Sequence, residues 1–141
     1  MSRLRGDRGT VAVWVLGLCV GLIFLGGLSL DVWRAFTERR VLAGMADAAA
    51  VAGATAIDEA AWRQSGTAEL DEPLASDRAL GYLLAHPSWD GAITQTITTG
   101  PAGIEVVLAK EVEFTLLRVL IDSDDQFDVS VTAFAAPVAS P

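Results

Sequence analysis

His86 is the only histidine of the chain, and Pro87 follows it. An imidazole can carry a proton or bind a metal, but either task needs partners. A zinc site takes several Cys, His or carboxylate ligands. The single cysteine, Cys19, lies inside an apolar run and offers none of that help. His86 therefore reads as the last residue of a short helix, where it suits the local dipole. Asp122, Asp124, Asp125 and Asp128 are the best cation candidates. They lack the mid-loop glycine and the closing glutamate of a calcium loop, so they read as a solvated acidic turn. No G-x-S-x-G turn and no phosphate-cradling glycine loop occurs. Trp14, Trp33, Trp62 and Trp89 read as packing or interface anchors, with Trp33 placed for an aromatic belt. The sequence thus predicts no catalytic residue, no cofactor and no metal, and the chain does not read as an enzyme.

The elements behind these residues begin with an uncharged run, Thr10 to Leu30. It has the roughly 20-residue length that crosses a bilayer as a helix. Arg3, Arg5 and Arg8 precede it, and Asp31 ends it. The run exceeds a usual signal-peptide core, and no A-x-A-like cleavage site follows. Leu16-Gly17-Leu18-Cys19 resembles a lipobox only loosely, because Leu18 is bulky and the apolar run continues. An uncleaved anchor is expected. Gly17 and Gly21 are four apart, on one face where a second helix can come close.

From Asp31 to Trp62 there is no proline, and alanine dominates. The expectation is one helix from Thr10 to about Trp62, or two nearly continuous ones. Leu42, Met45, Ala49, Ala52, Ala56 and Ala60 form a smooth apolar stripe. Arg40, Asp47, Ala54 and Asp58 are expected on the other face, and Arg34 can pair with Glu38.

After the stem, 63–75 reads as a loop. Ser76 is expected to cap a helix from Asp77 to His86. Ala92–Thr99 reads as a strand, and Gly100-Pro101-Ala102-Gly103 as a turn. Ile104, Val106, Leu108, Val112 and Phe114 alternate with Glu105, Glu111 and Glu113, which makes a half-buried strand. Thr115–Ile121 reads as a short apolar helix or a turn. A third strand follows from Phe127, Val129, Val131 and Ala133. The expected fold class is α+β: a transmembrane helix running into an amphipathic stem, packed on a small antiparallel sheet. The expected layout is a basic leader (1–9), the span (10–30), the stem (31–62) and a small domain (63–141).

The net charge is −8, unevenly spread: residues 31–141 hold seven basic and seventeen acidic side chains. Such a domain argues against nucleic acid and against anionic lipid surfaces as partners. The Lys/Arg count flanking the span is equal on its two sides. Acidic residues weigh little in that comparison. The orientation adopted places the N-terminus in the cytoplasm and the domain outside a cell membrane.

Several pieces in order resemble the TadE/TadG-like proteins of bacterial tight-adherence (Tad, Flp) pilus systems. They are Asp7-Arg8-Gly9, the apolar run, Leu30-Asp31-Val32-Trp33-Arg34, Arg39-Arg40-Val41-Leu42 and Ala46-Asp47-Ala48-Ala49-Ala50-Val51-Ala52-Gly53-Ala54. The likeness spans about residues 7–56. The family's usual pattern is a membrane helix, Asp-x-Gly-Arg, Leu-Gln and Ala-Asp-Ala-Ala-Ala-Leu-Ala. On that pattern Asp31, Arg34, Leu42, Ala46, Asp47, Ala49 and Ala52 are the motif positions. Trp33 and Ala43 depart from it. Processed pilins carry a glutamate five residues after the cleaved glycine, where this chain has Val11 or Trp14. The resemblance thus implies an uncleaved, TadG-like protein that helps assemble or anchor a pilus, without catalysis. Its implied partners are other pilus or secretion proteins and the bilayer, in a homo- or hetero-oligomer. The competing reading is a membrane-anchored sensor or ligand-binding module, which neighbouring genes for a secretion ATPase and a prepilin peptidase would disfavour.

Overall fold

The computed structural model describes residues 7–112 and 127–138. They form helices α1 (Asp7–Ala54), α2 (Glu59–Ser65) and α3 (Glu72–Ala85), then strands β1 (Ile93–Gly100), β2 (Gly103–Val112) and β3 (Phe127–Ala135). The described residues divide into two units, 7–35 and 36–112 with 127–138.

In the first unit the described residues belong to α1. The helix holds an 18-residue window with a mean hydropathy of 2.5, and none of that window is buried by protein. Its large side chains, Trp14 and Ile23 among them, are exposed. Within the run the Ser29 hydroxyl donates to the Leu25 carbonyl at 2.9 Å. That bond folds the hydroxyl back onto the helix's own backbone. Asp31, at the end of the run, is buried.

The second unit has an antiparallel sheet in the order β1-β2-β3. Ile104 lies opposite Thr99 on β1 and Ala135 on β3, and Leu108 opposite Gln95 and Val131. The even-numbered residues of β2 face inward: Ile104, Val106 and Leu108 are buried, while Glu105 and Glu111 are exposed. Val129 and Ala133 of β3 join the same core. These are the alternations expected from the sequence. Glu113, Phe114, Thr115–Ile121 and the Asp122–Asp125 turn lie outside the described residues.

Of the two forms expected for the span and stem, the structure has two helices rather than one. α1 stops at Ala54, and α2 begins at Glu59. Thr55 bends its hydroxyl back to the Ala52 carbonyl at 2.6 Å, and Ala56 N–H reaches only to Gly53 O. Ile57 then leaves the helix to bridge Leu70, and Asp58 N–H bonds Glu69 O at 2.8 Å. Asp58 caps α2, accepting from Ala60 N and Ala61 N. Gly66 ends α2 at φ 69°, the left-handed turn that glycine adopts without strain. Alanine propensity alone carries no signal for this break, which is set by Asp58 and the Ile57–Leu70 pairing.

α3 also starts earlier than Ser76. Asp71 caps it, accepting from Leu74 N at 3.1 Å, and Pro73 sits in the first turn, where a missing N–H costs nothing. Ala75, Ala79 and Leu83 are its buried residues, four apart, and the helix packs against β1. His86 is its C-cap, as the spacing suggested. The His86 imidazole Nδ1 accepts from Ser88 N at 3.2 Å.

Candidate functional site: the seat of the first helix

The last turns of α1 are seated in the core. Leu42, Met45, Ala46, Ala49, Ala50 and Gly53 are buried, at steps of three and one. The stripe read from sequence is correct at Leu42, Met45, Ala49 and Ala56 and shifted elsewhere. Ala52 is half-buried, Ala60 is exposed on α2, and Ala54 packs against the core rather than facing away from it. The shift follows from the true centre of the buried arc, which runs through Ala46, Ala49, Ala50 and Gly53.

Gly53 marks the closest approach. A Cβ there would lie 2.5 Å from Ile104 Cδ1 and 3.0 Å from the Ala75 carbonyl oxygen. One glycine thus lets α1 touch β2 and α3 at the same point. Its place inside the alanine run hid it, because a small residue among small residues carries no pattern of its own. A similar contact occurs at Gly103, where the Phe134 ring lies across the missing side chain.

Lys110 was also illegible. It faces inward on β2 with a side chain only 19% exposed. Its Nζ lies 2.9 Å from Asp90 Oδ2 and 3.6 Å from Glu38 Oε2. Glu38, expected to pair with Arg34, therefore ties α1 to the sheet. The hydrogen bond to Lys110 is the main cause holding the Asp90 carboxyl below its ordinary value of 3.8. The same bond raises the Lys110 ammonium above 10.5, helped by the charge of Glu38. A depressed carboxylate stabilises the fold above its ordinary value and loses that support as pH falls through the folded one. A raised lysine supports the fold below 10.5 and loses that support as pH climbs through its folded value. The clamp is therefore whole between the two ordinary values, 3.8 and 10.5, and weakens as pH falls below the first or climbs above the second. Lys110→Met should lower the denaturant midpoint at pH 7 and flatten its fall as pH drops below 3.8. Equal acid sensitivity in variant and wild type would show that the clamp carries no folding linkage.

The motif positions are not gathered at one point. Leu42, Ala46 and Ala49 belong to the buried seat, and Asp47 and Arg34 are exposed. Gly17 and Gly21 lie on α1 with open space where a Cβ would stand. Cys19, Trp14 and Trp33 are exposed, while Trp89 packs on the core. Among the described residues no group of three His, Cys, Asp or Glu side chains is placed to hold a metal.

A groove of about 480 Å³ lies between the start of α2 and α3, lined by Ile57, Glu59, Trp62, Leu74, Arg78 and Val138, so that it carries one acidic and one basic side chain. Arg78 donates to Thr55 Oγ1 at 2.9 Å. Among the described residues this groove is a feature on which a ligand-binding reading could draw.

Fold and seat together define an α+β protein whose N-terminal apolar helix ends embedded against a small antiparallel sheet. Residues 9–61 match the family described as putative Flp pilus-assembly TadE/G-like. The matched span covers α1 from Gly9 and the opening of α2, and leaves α3 and the sheet outside. No curated protein and no solved structure matches the chain.

Proposed function

We propose that this chain is a single-pass membrane protein that takes part in assembling a Tad/Flp-type pilus or a related secretion apparatus, through helix and domain contacts and without catalysis. The family match over residues 9–61 carries this reading, because it covers the apolar helix and the turns that seat in the core. The charge-free stretch from Thr10 to Leu30 supports a span. In this reading the N-terminus is cytoplasmic and the sheet is extracytoplasmic. Gly17 and Gly21, four apart on one face of α1, form the face where a partner helix in the apparatus packs. Val11 and Trp14, at the positions where a processed pilin is acidic, support an uncleaved N-terminus.

Deletion of the gene in the native cell should remove surface pili, and the wild-type gene should restore them. Gly17→Leu with Gly21→Leu should fail to restore them while the chain stays in the membrane through alkaline carbonate. Normal pili in the deletion strain would overturn the assembly role. Release of the chain by carbonate would overturn the anchor.

A further inference from the structure

We infer that β1 is an assembly edge, which pairs antiparallel with β1 of a second copy of this chain. β1 is an outer strand of the sheet. In an antiparallel ladder an edge strand turns alternate N–H and C=O groups away from its one partner. Among the described residues, residues 94–99 make no backbone hydrogen bond beyond the ladder with β2. Proteins commonly guard such an edge with lysine, proline, a bulge or a very short strand. β1 has none of these. It runs for eight residues as Ile-Thr-Gln-Thr-Ile-Thr-Thr-Gly, without a charge or a proline. Its register with β2 is unbroken from Ile93 to Gly100. The opposite edge, β3, carries Asp128.

The sequence of β1 is self-complementary. A two-fold axis at Thr96 sets Thr96 opposite its own copy, Thr94 opposite Thr98, and Gln95 opposite Ile97. Thr94, Thr96 and Thr98 are all exposed. They pair with Ala109, Val107 and Glu105 of β2, so they share the outer face of the sheet. Directly opposed threonines are favourable cross-strand neighbours. No like charges meet, which is the usual obstacle to strand self-pairing. Ile93 and Ile97 stay with the core. The two sheets then join into one, with an isologous interface of the kind a two-fold dimer needs.

Full-length chain in membranes, with Cys19→Ser removing the native thiol, tests this by oxidative cross-linking. Directly opposed Cα atoms lie about 4.5–5.5 Å apart, within disulfide reach. Thr96→Cys should give a disulfide-linked dimer. Thr94→Cys alone should not, because its own copy lies about 13 Å along the strand. Coexpressed Thr94→Cys and Thr98→Cys chains should cross-link to each other. Absence of the Thr96→Cys dimer would overturn the proposal, and so would equal yields from Thr96→Cys and Thr94→Cys alone. All three positions are exposed, so limited proteolysis should show that each variant stays folded.

Discussion

Gly53→Leu should unfold the helix–sheet unit, while Gly44→Leu leaves it intact. Both glycines lie in α1, and both substitutions replace a poor helix former with a good one. That change alone favours the helix by roughly 0.5–1 kcal/mol. At Gly44 nothing lies within 4 Å of the new Cβ, so the gain stands. At Gly53 the new Cβ meets Ile104 Cδ1 at 2.5 Å. Ile104 is fully buried, so its side chain has no open space to swing into. The Ala75 carbonyl closes another side, and it belongs to the backbone of α3. Forcing extra carbons into such a contact costs about 1–3 kcal/mol, and more when several atoms are added. The penalty exceeds the propensity gain and is a large part of a small domain's stability, about 5–15 kcal/mol. Denaturant titration of the detergent-solubilised chain measures it. Equal midpoints for the two variants would show that α1 has room to withdraw from the sheet.

Ala49→Arg and Val51→Arg should separate in the same way, two residues apart. Ala49 is 0% exposed, and Val51 is 61% exposed. A guanidinium at Ala49 must lose its water in a core that includes Leu42 and Met45 and whose described members are all apolar. An uncompensated buried charge costs on the order of 3–5 kcal/mol. At Val51 the same side chain stays in solvent, and arginine is a better helix former than valine. Limited proteolysis should show Ala49→Arg cut within the domain and Val51→Arg as resistant as wild type. If Val51→Arg is folded yet fails to support pili, the outer face of α1 is a partner surface. Equal resistance of both variants would mean that α1 is not seated as described.

The choice of Ala49 and Val51 shows what the alanine run concealed. Ala52 and Ala54 read from the sequence as opposite faces, one buried and one solvated. In the structure both are half-buried, at the flanks of the buried arc. Alanine, glycine and valine differ little in polarity, so the periodic signal between residues 43 and 54 is weak. A rotation of the stripe by one position changes almost nothing in the pattern and everything in the contacts. The strands were legible for the opposite reason. Glu105 and Glu111 alternate with Ile104, Val106 and Leu108, and charge against aliphatic bulk leaves one possible face for the core.

The sequence by itself determined the apolar helix, the α+β class and the three alternating strands, because each rests on local composition or on a two-residue period. It also carried the family likeness, which runs along a single continuous segment. Where α1 stops was decided only in three dimensions, since Ile57 pairs with Leu70 and Asp58 with Glu69, on either side of α2. The same holds for Gly53, whose importance depends on Ile104 and Ala75, residues distant in sequence. It holds again for Lys110, whose partners Glu38 and Asp90 come from α1 and from the turn before β1. Such contacts depend on which residues meet after the chain has closed on itself, and no local period records them.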